Sequence, residues 1–220
     1  MTSLRYERQL LRGLPGASTL AAIDEVGRGA LAGPVAVGVV IVDLDCGSAP
    51  RGVRDSKACP PDERRRLAPR IRRWARSCAV GMASAREIDD MGIMTALALA
   101  AVRALNCVGE RPSIVLLDGN HNWLRRQCHA VPVVTRVSGD ATCAAVAAAS
   151  ILAKVMRDDL MVQLAVDHPE YGWAANKGYA SPDHIDALSH RGPSPHHRVS
   201  WSLPGLTARP GLAPSDTITA

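Results

Sequence analysis

The 220 residues, 47% hydrophobic and 21% charged, suffice for one ordinary domain with a buried core and exclude a disordered, collagenous or acidic solvating chain. The longest uncharged runs, Gly29 to Val42 and Ala141 to Ala153, fall short of the roughly twenty residues of a bilayer span, and the Arg-bearing N-terminus lacks the apolar block of a secretory signal, so a cytoplasmic chain without membrane contact is expected. A net charge of +5 suits a polyanionic partner without requiring one.

Residues 1–19 read as an N-terminal extension. Leu20 to Ile23 is an apolar run ending in Asp24-Glu25, and Val35 to Val42 is a β-branched run; both predict strands, punctuated between by Gly27-Arg28-Gly29 and Gly33-Pro34. Pro60-Pro61-Asp62-Glu63 predicts a helix start. Pro69 should kink or split that helix, and the arginines of the segment (Arg64, Arg65, Arg66, Arg70, Arg72, Arg73, Arg76) read as a solvated face. Cys78 to Ala83 predicts a third strand, completing an antiparallel meander. Ile93 to Leu105 reads as a buried helix, Ser113 to Leu117 as a strand ending in Asp118-Gly119-Asn120, and Val131 to Val134 as a fifth strand. Ala141 to Leu164 is the longest helical stretch, with small residues suited to close packing on a sheet. This order predicts a mixed α/β layer architecture over residues 20–202. From Leu203, with Pro204, Pro210 and Pro214, a flexible tail over 203–220 is expected. The six cysteines form no CxxC pair, which leaves zinc-ribbon and thioredoxin readings unsupported and reduced, mostly buried thiols as the expectation.

Gly27-x-Gly29-x-x-x-Gly33 invites a dinucleotide-binding reading, but its spacing is one residue too long and Pro34 leads into a strand where that fingerprint opens a helix. No GxxxxGK[ST] phosphate loop occurs. The carboxylates are more informative. Asp24 and Glu25 close the first strand, Asp118 closes the fourth, and Asp140 follows the fifth. Strand ends facing one edge can converge, although Asp24 and Glu25 share a site only if the strand ends or twists there. Four hard oxygen donors suit Mg²⁺ or Mn²⁺, and a pair of such ions would activate water on a phosphodiester; each Asp taken alone could equally cap a turn. Of the 26 basic residues only Lys57, Lys154 and Lys177 are lysines, so these positions can be ones that need a compact ammonium.

These residues resemble bacterial ribonuclease HII. The resemblance rests on Asp24-Glu25-Val26-Gly27-Arg28-Gly29 with Leu31-Ala32-Gly33-Pro34-Val35, then Asp55-Ser56-Lys57, Asp118-Gly119-Asn120, Gly139-Asp140 with Ala147 to Val155 and Arg157-Asp158, and finally Tyr171-Gly172-Trp173, Lys177-Gly178-Tyr179 and His196-His197-Arg198. It implies a ribonuclease H-like fold, a five-stranded mixed sheet flanked by helices with a small C-terminal helical extension. It also implies an endonuclease, acting as a monomer, that cuts the RNA strand of RNA/DNA hybrids and duplex DNA 5′ of an embedded ribonucleotide. Asp24, Glu25, Asp118 and Asp140 would be both catalytic residues and ligands of Mg²⁺ or Mn²⁺, with Gly27, Arg28, Gly29, Lys57, Lys177 and Tyr179 contacting nucleic acid. The short N-terminal segment leaves no room for the extra domain of ribonuclease HIII. Two positions depart from the family pattern: Ser138 stands where Lys is frequent, and Asn176 where His is frequent. His196 and His197 read as structural or solvated. A resolvase-like nuclease on the same fold and a non-cleaving hybrid-binding protein are the competing readings; the Gly-Arg-Gly and Tyr179 pattern argues against the first, and the intact carboxylates against the second.

Overall fold

The computed structural model describes residues 2–124 and 131–206. Along the chain run α1 (Arg5–Gly13), β1 (Leu20–Val26), β2 (Val35–Val42), α2 (Pro61–Trp74), β3 (Ser77–Ala83), α3 (Ala85–Met91), α4 (Ile93–Cys107), β4 (Ile114–Asp118), β5 (Val133–Arg136), α5 (Gly139–Thr142), α6 (Ala144–Asp167), α7 (Trp173–Asn176) and α8 (Pro182–Arg191). The sheet order is β3-β2-β1-β4-β5. The first three strands form the expected antiparallel meander, while β4 pairs parallel to β1 and β5 parallel to β4.

Alternation along the strands sorts the core into two layers. Leu20, Ala22, Val40, Val42 and Leu116 face α6, α2 and α1; Ala21, Ile23, Val37, Val39, Val115 and Leu117 face α4. The Ala-rich α6 comes close enough that a methyl group on Gly38 would run into the Ala149 carbonyl, and one on Gly81 would meet the Ala100 carbonyl of α4. Small residues on helix and strand together set these two spacings.

Several details differ from the sequence reading. β1 extends to Val26, past Asp24 and Glu25. The N-terminal segment is no mere extension: Leu4 and Leu11 are buried in the core, and Glu7 Oε1 accepts the Ala145 amide at 2.8 Å, capping a helix start that has no side-chain cap of its own. α2 runs unbroken through Pro69 because Leu67, Ala68 and Ile71 on either side of it are buried, and burial outweighs one missing hydrogen bond. Arg64 departs from the solvated face; it is buried and donates to the Ser56 and Cys59 carbonyls at 2.8 and 2.6 Å. The long helix begins only after Cys143, whose extended backbone separates it from α5. Of the cysteines, Cys59 and Cys143 are buried, Cys46 and Cys78 half-buried and Cys107 exposed, while Cys128 lies outside the described residues. Leu203 packs with Leu31, Met161, Trp173 and Leu188, so the start of the expected tail is fixed by burial; residues 207–220 lie outside the described part. Among the described residues no helix is long and apolar enough to cross a membrane.

Candidate active site

The parallel strands β1, β4 and β5 bring their C-terminal ends to one edge of the sheet, where α/β folds place ligand sites. The last β1–β4 pair is Ile23 with Leu117, so Asp24 and Asp118 follow as neighbours on the α6 face. Glu25 points to the opposite face. β1 nevertheless runs on beside β2 to Val26 after β4 has ended, which leaves both carboxylates at an open edge. Beyond β5, Ser138 takes a left-handed conformation, φ 55°, turning the chain so that the Gly139 and Asp140 amides meet Asp118 Oδ1 at 2.7 and 3.4 Å. Asp24, Glu25 and Asp118 line a cleft of about 420 Å³ together with Gly27, Arg28, Gly29, Ser56, Lys57, Ser150, Lys154 and Tyr179.

The electrostatics agree with this clustering. Burial holds the Asp24 carboxyl well above its ordinary range; the Ser150 hydroxyl counteracts this in part, and Asp118, Glu25 and Asp140 add to it. Asp140 is raised first by burial, then by Asp118 and Asp55, and Glu25 by burial, with Arg28 opposing. The charge of Asp118 thus raises Asp24, Glu25 and Asp140 alike. The donor set is all hard oxygen, which fits Mg²⁺ or Mn²⁺. Among the described residues no three His, Cys, Asp or Glu are gathered closely enough to enclose an ion, so the carboxylates are neighbours and not a closed cage.

The Gly27-Arg28-Gly29 loop is held from beneath. Arg198, fully buried, donates to the carbonyls of Gly27 (2.6 Å), Arg28 (2.8 Å) and Gly33 (3.2 Å). Arg157, also fully buried, donates to Pro34, Lys177 and Ala32. Neither guanidinium has a carboxylate partner among the described residues; burial pushes Arg157 down and Arg198 to about 9, low for arginine yet cationic at neutral pH. With these carbonyls drawn inward, the Arg28 and Gly29 amides have no acceptor among the described residues. Gly27 sits at φ 85°, and a methyl there would strike Arg157, whereas one on Gly29 would meet nothing within 4 Å.

A family model described as Ribonuclease HII matches residues 21–203. The chain is 50% identical over 192 residues to "Ribonuclease HII" of Streptomyces coelicolor, covering 87% of this chain and 80% of that one. It is 44% identical over 204 residues to that of Rhizorhabdus wittichii, with 92% and 95% covered. The chain belongs to the ribonuclease HII family. Its fold is that of the ribonuclease H2 of Pyrococcus horikoshii (TM-score 0.69, 26% identity, 84% and 94% covered) and of the ribonuclease HII solved with PCNA from Archaeoglobus fulgidus (TM-score 0.67, 27% identity, 83% and 93% covered). As a family member it is a nuclease, a hydrolase acting on the RNA strand of RNA/DNA hybrids.

The family resemblance had singled out Lys57, Lys177 and Tyr179 beside the carboxylates. Lys57 lies in the cleft. Lys177 lines a separate depression with Arg64 and Arg65, its ammonium turned back onto the Ala174 carbonyl. Tyr179 is half-buried at the cleft wall, its ring 5.6 Å from Lys154 Nζ and 5.3 Å from the Arg157 guanidinium. The two departures from the family pattern fall apart in kind. Ser138 is exposed, but Asn176 shapes the turn before Tyr179, accepting from the Gly178 amide at 2.8 Å and donating to the Tyr171 carbonyl at 2.7 Å.

Three further residues shape the site without having been assigned any role from sequence, Arg157, His184 and Arg198, and His197 joins them. A buried histidine pair continues the support under Tyr179. The Tyr179 carbonyl can only accept, so His184 Nδ1, 2.9 Å away, carries the proton. His184 Nε2 must then accept, from Trp173 Nε1 at 3.2 Å and from His197 Nε2 at 2.9 Å. His197 Nδ1 in turn accepts from the Ser194 amide and hydroxyl, each at 2.9 Å. One tautomer of each ring satisfies every contact with both rings neutral; of the two readings open for His197, structural or solvated, its burial and hydrogen bonds fit the first. Burial, then His184, pushes His197 down to about 4. Because its pKa in the unfolded chain is near 6.5, the unfolded state binds more protons between these values, and stability falls as the pH drops through that window. We expect His197 alone to cost about 3 kcal/mol of stability between pH 7 and pH 4. Denaturant unfolding at both pH values, for the wild type and His197→Gln, checks this; equal losses in the two proteins would refute it.

Proposed function

We propose that this cleft binds RNA/DNA hybrids and duplex DNA containing an embedded ribonucleotide, and hydrolyses the phosphodiester on the 5′ side of that ribonucleotide to leave a 3′-hydroxyl. The observation that carries the reading is the gathering of Asp24, Glu25, Asp118 and Asp140 at one strand edge beside the Gly27-Arg28-Gly29 loop, which lines the cleft and whose Arg28 and Gly29 amides have no acceptor among the described residues. Asp24, Glu25, Asp118 and Asp140 would hold two Mg²⁺ or Mn²⁺ ions. When bound, such ions supply activation of water and neutralisation of charge at the leaving oxygen. The chain's own part is positioning. The Arg28 and Gly29 amides are suited to a ribose 2′-hydroxyl, since glycine lets the main chain approach closely. Lys57 and Lys154 line the same cleft, the Lys154 ammonium held by Asp158 Oδ1 at 2.8 Å, and their positive charge is suited to phosphate oxygens. The Tyr179 ring, fixed through its carbonyl to His184, offers a flat face to the next sugar and a hydroxyl that can donate one hydrogen bond.

Two substitutions test this assignment. Gly29→Ala should fold normally, because the added methyl meets no protein atom within 4 Å, yet it should slow cleavage of both substrates by obstructing the ribose. Wild-type rates in this variant would remove the loop from 2′-hydroxyl recognition. Tyr179→Ala should slow cleavage at an isolated RNA-to-DNA junction more than cleavage within a long hybrid. Steady-state rates on the two substrates give the ratio, and an unchanged ratio would remove Tyr179 from sugar sensing.

A further inference from the structure

A second concave surface adjoins the catalytic edge. It is a groove of about 1100 Å³ between α1 and the 48–54 loop, lined by Arg5, Arg8, Arg12, Arg51 and Arg54 and by no acidic residue. At one end it reaches Ala141, next to Asp140, and Arg54, three residues before Lys57. Through these two residues it lies next in the chain to Asp140 and to Lys57 of the cleft already described.

Four of the five arginines in this groove lack a carboxylate partner among the described residues. Arg54 is held by Glu63 through two contacts of 2.6 and 2.8 Å, but among the described residues Arg5, Arg8, Arg12 and Arg51 have no carboxylate within ion-pair distance. The carboxylate of α1 itself, Glu7, turns the other way onto the Ala145 amide. Arg8 donates to the Cys46 carbonyl at 2.7 Å, which holds its guanidinium at the groove wall.

The spacing favours a chain of anions over a single one. Arg5, Arg8 and Arg12 stand at i, i+3 and i+7 on one helix face, a span of about 10 Å at 1.5 Å per residue. One strand of a nucleic-acid duplex presents a phosphate about every 3.4 Å of axis, so about three phosphates pass along that span.

We propose that this arginine groove is a second nucleic-acid contact, holding the sugar-phosphate backbone of the substrate as it leaves the cleft past Asp140. This rests on the function proposed above. The groove reads charge and not sequence, so it adds affinity and register on long substrates without touching the bond that is cut.

The test replaces Arg5, Arg12 and Arg51 together by Ala. All three are exposed, and none donates a side-chain hydrogen bond among the described residues, so the fold should be retained. Binding is measured with the non-cleaving Asp24→Asn substitution added, on duplexes of about 8 and about 30 base pairs carrying one ribonucleotide, across a range of salt. For the long duplex we expect Kd to rise about tenfold or more and the slope of log K against log salt to become shallower by about two to three, near 0.9 per lost phosphate contact. Kd for the short duplex should match that of the unaltered groove, and the corresponding triple Lys variant should restore the long-duplex affinity. An unchanged salt slope, or an equal loss on both lengths, would overturn the groove as a separate contact. If the protein with its groove intact binds neither length, the failure belongs to the cleft reading instead.

Discussion

Asp24→Asn is expected to retain less than a tenth of wild-type turnover at saturating Mg²⁺ while melting no lower than the wild type in the presence of a chelator. The two halves have one cause. Asp24 is 5% exposed, and burial together with three neighbouring carboxylates already disfavours its charge. A carboxyl whose folded pKa is raised binds its proton more tightly in the folded state than in the unfolded one. It therefore contributes stability at low pH and costs stability once the pH exceeds that value. Replacing it with the isosteric amide removes the cost at neutral pH. The same substitution deletes a metal-ligating oxygen, and a tenfold loss of rate corresponds to about 1.4 kcal/mol of barrier, less than a lost ligand should cost. Turnover and thermal melting measured side by side decide the matter. A variant that keeps more than a tenth of the activity would refute the metal assignment of Asp24. One that melts well below the wild type would show instead that the carboxylate is a structural group.

Arg198→Met should have the opposite signature, losing stability and activity together. The substitution leaves the carbonyls of Gly27, Arg28 and Gly33 without their buried donor, and each such loss is worth about 1 to 3 kcal/mol. Relief of an unpaired buried cation offsets part of this, so a net loss of about 3 kcal/mol is the expected result. The consequence for activity is geometric. Once those carbonyls are free to turn toward water, the Arg28 and Gly29 amides lose their fixed direction, and a displacement of about 1 Å in a positioning element can cost about 100-fold in rate. Arg198→Lys separates charge from shape: it keeps the cation, but an ammonium cannot match the three-carbonyl fork. We expect it to fall between Met and wild type in melting temperature and in kcat/KM. Cleavage assayed well below the variant's melting temperature, with circular dichroism confirming the fold, makes the comparison sound. Arg198→Met with near-wild-type melting and cleavage would show that the loop holds its shape without the arginine.

The sequence by itself determined the sheet, because strand formation and burial are written in local composition. The runs Leu20 to Ile23, Val35 to Val42 and Ser113 to Leu117 each gave a strand within a few residues of its observed bounds, and Asp24, Glu25 and Asp118 lie near the C-terminal ends of two of them. The ordered motif blocks from Asp24 to Arg198 then carried the resemblance to the family. What the sequence could not supply was long-range pairing that leaves no periodic trace. α1 has a strongly amphipathic face, but its place in the core depends on Glu7 meeting α6, 138 residues away in the chain. Arg157 and Arg198 look like any other arginine in a chain rich in them. Their partners are main-chain carbonyls, which every residue possesses, so no residue type marks them. The turn of Lys177 away from the cleft was hidden for a related reason: the left-handed backbone at that residue, φ 53°, is set by the Asn176 hydrogen bonds to Tyr171 and Gly178. Composition decides which segments are buried. Only the tertiary structure decides where a buried polar group finds its partner, because that partner can come from anywhere in the chain.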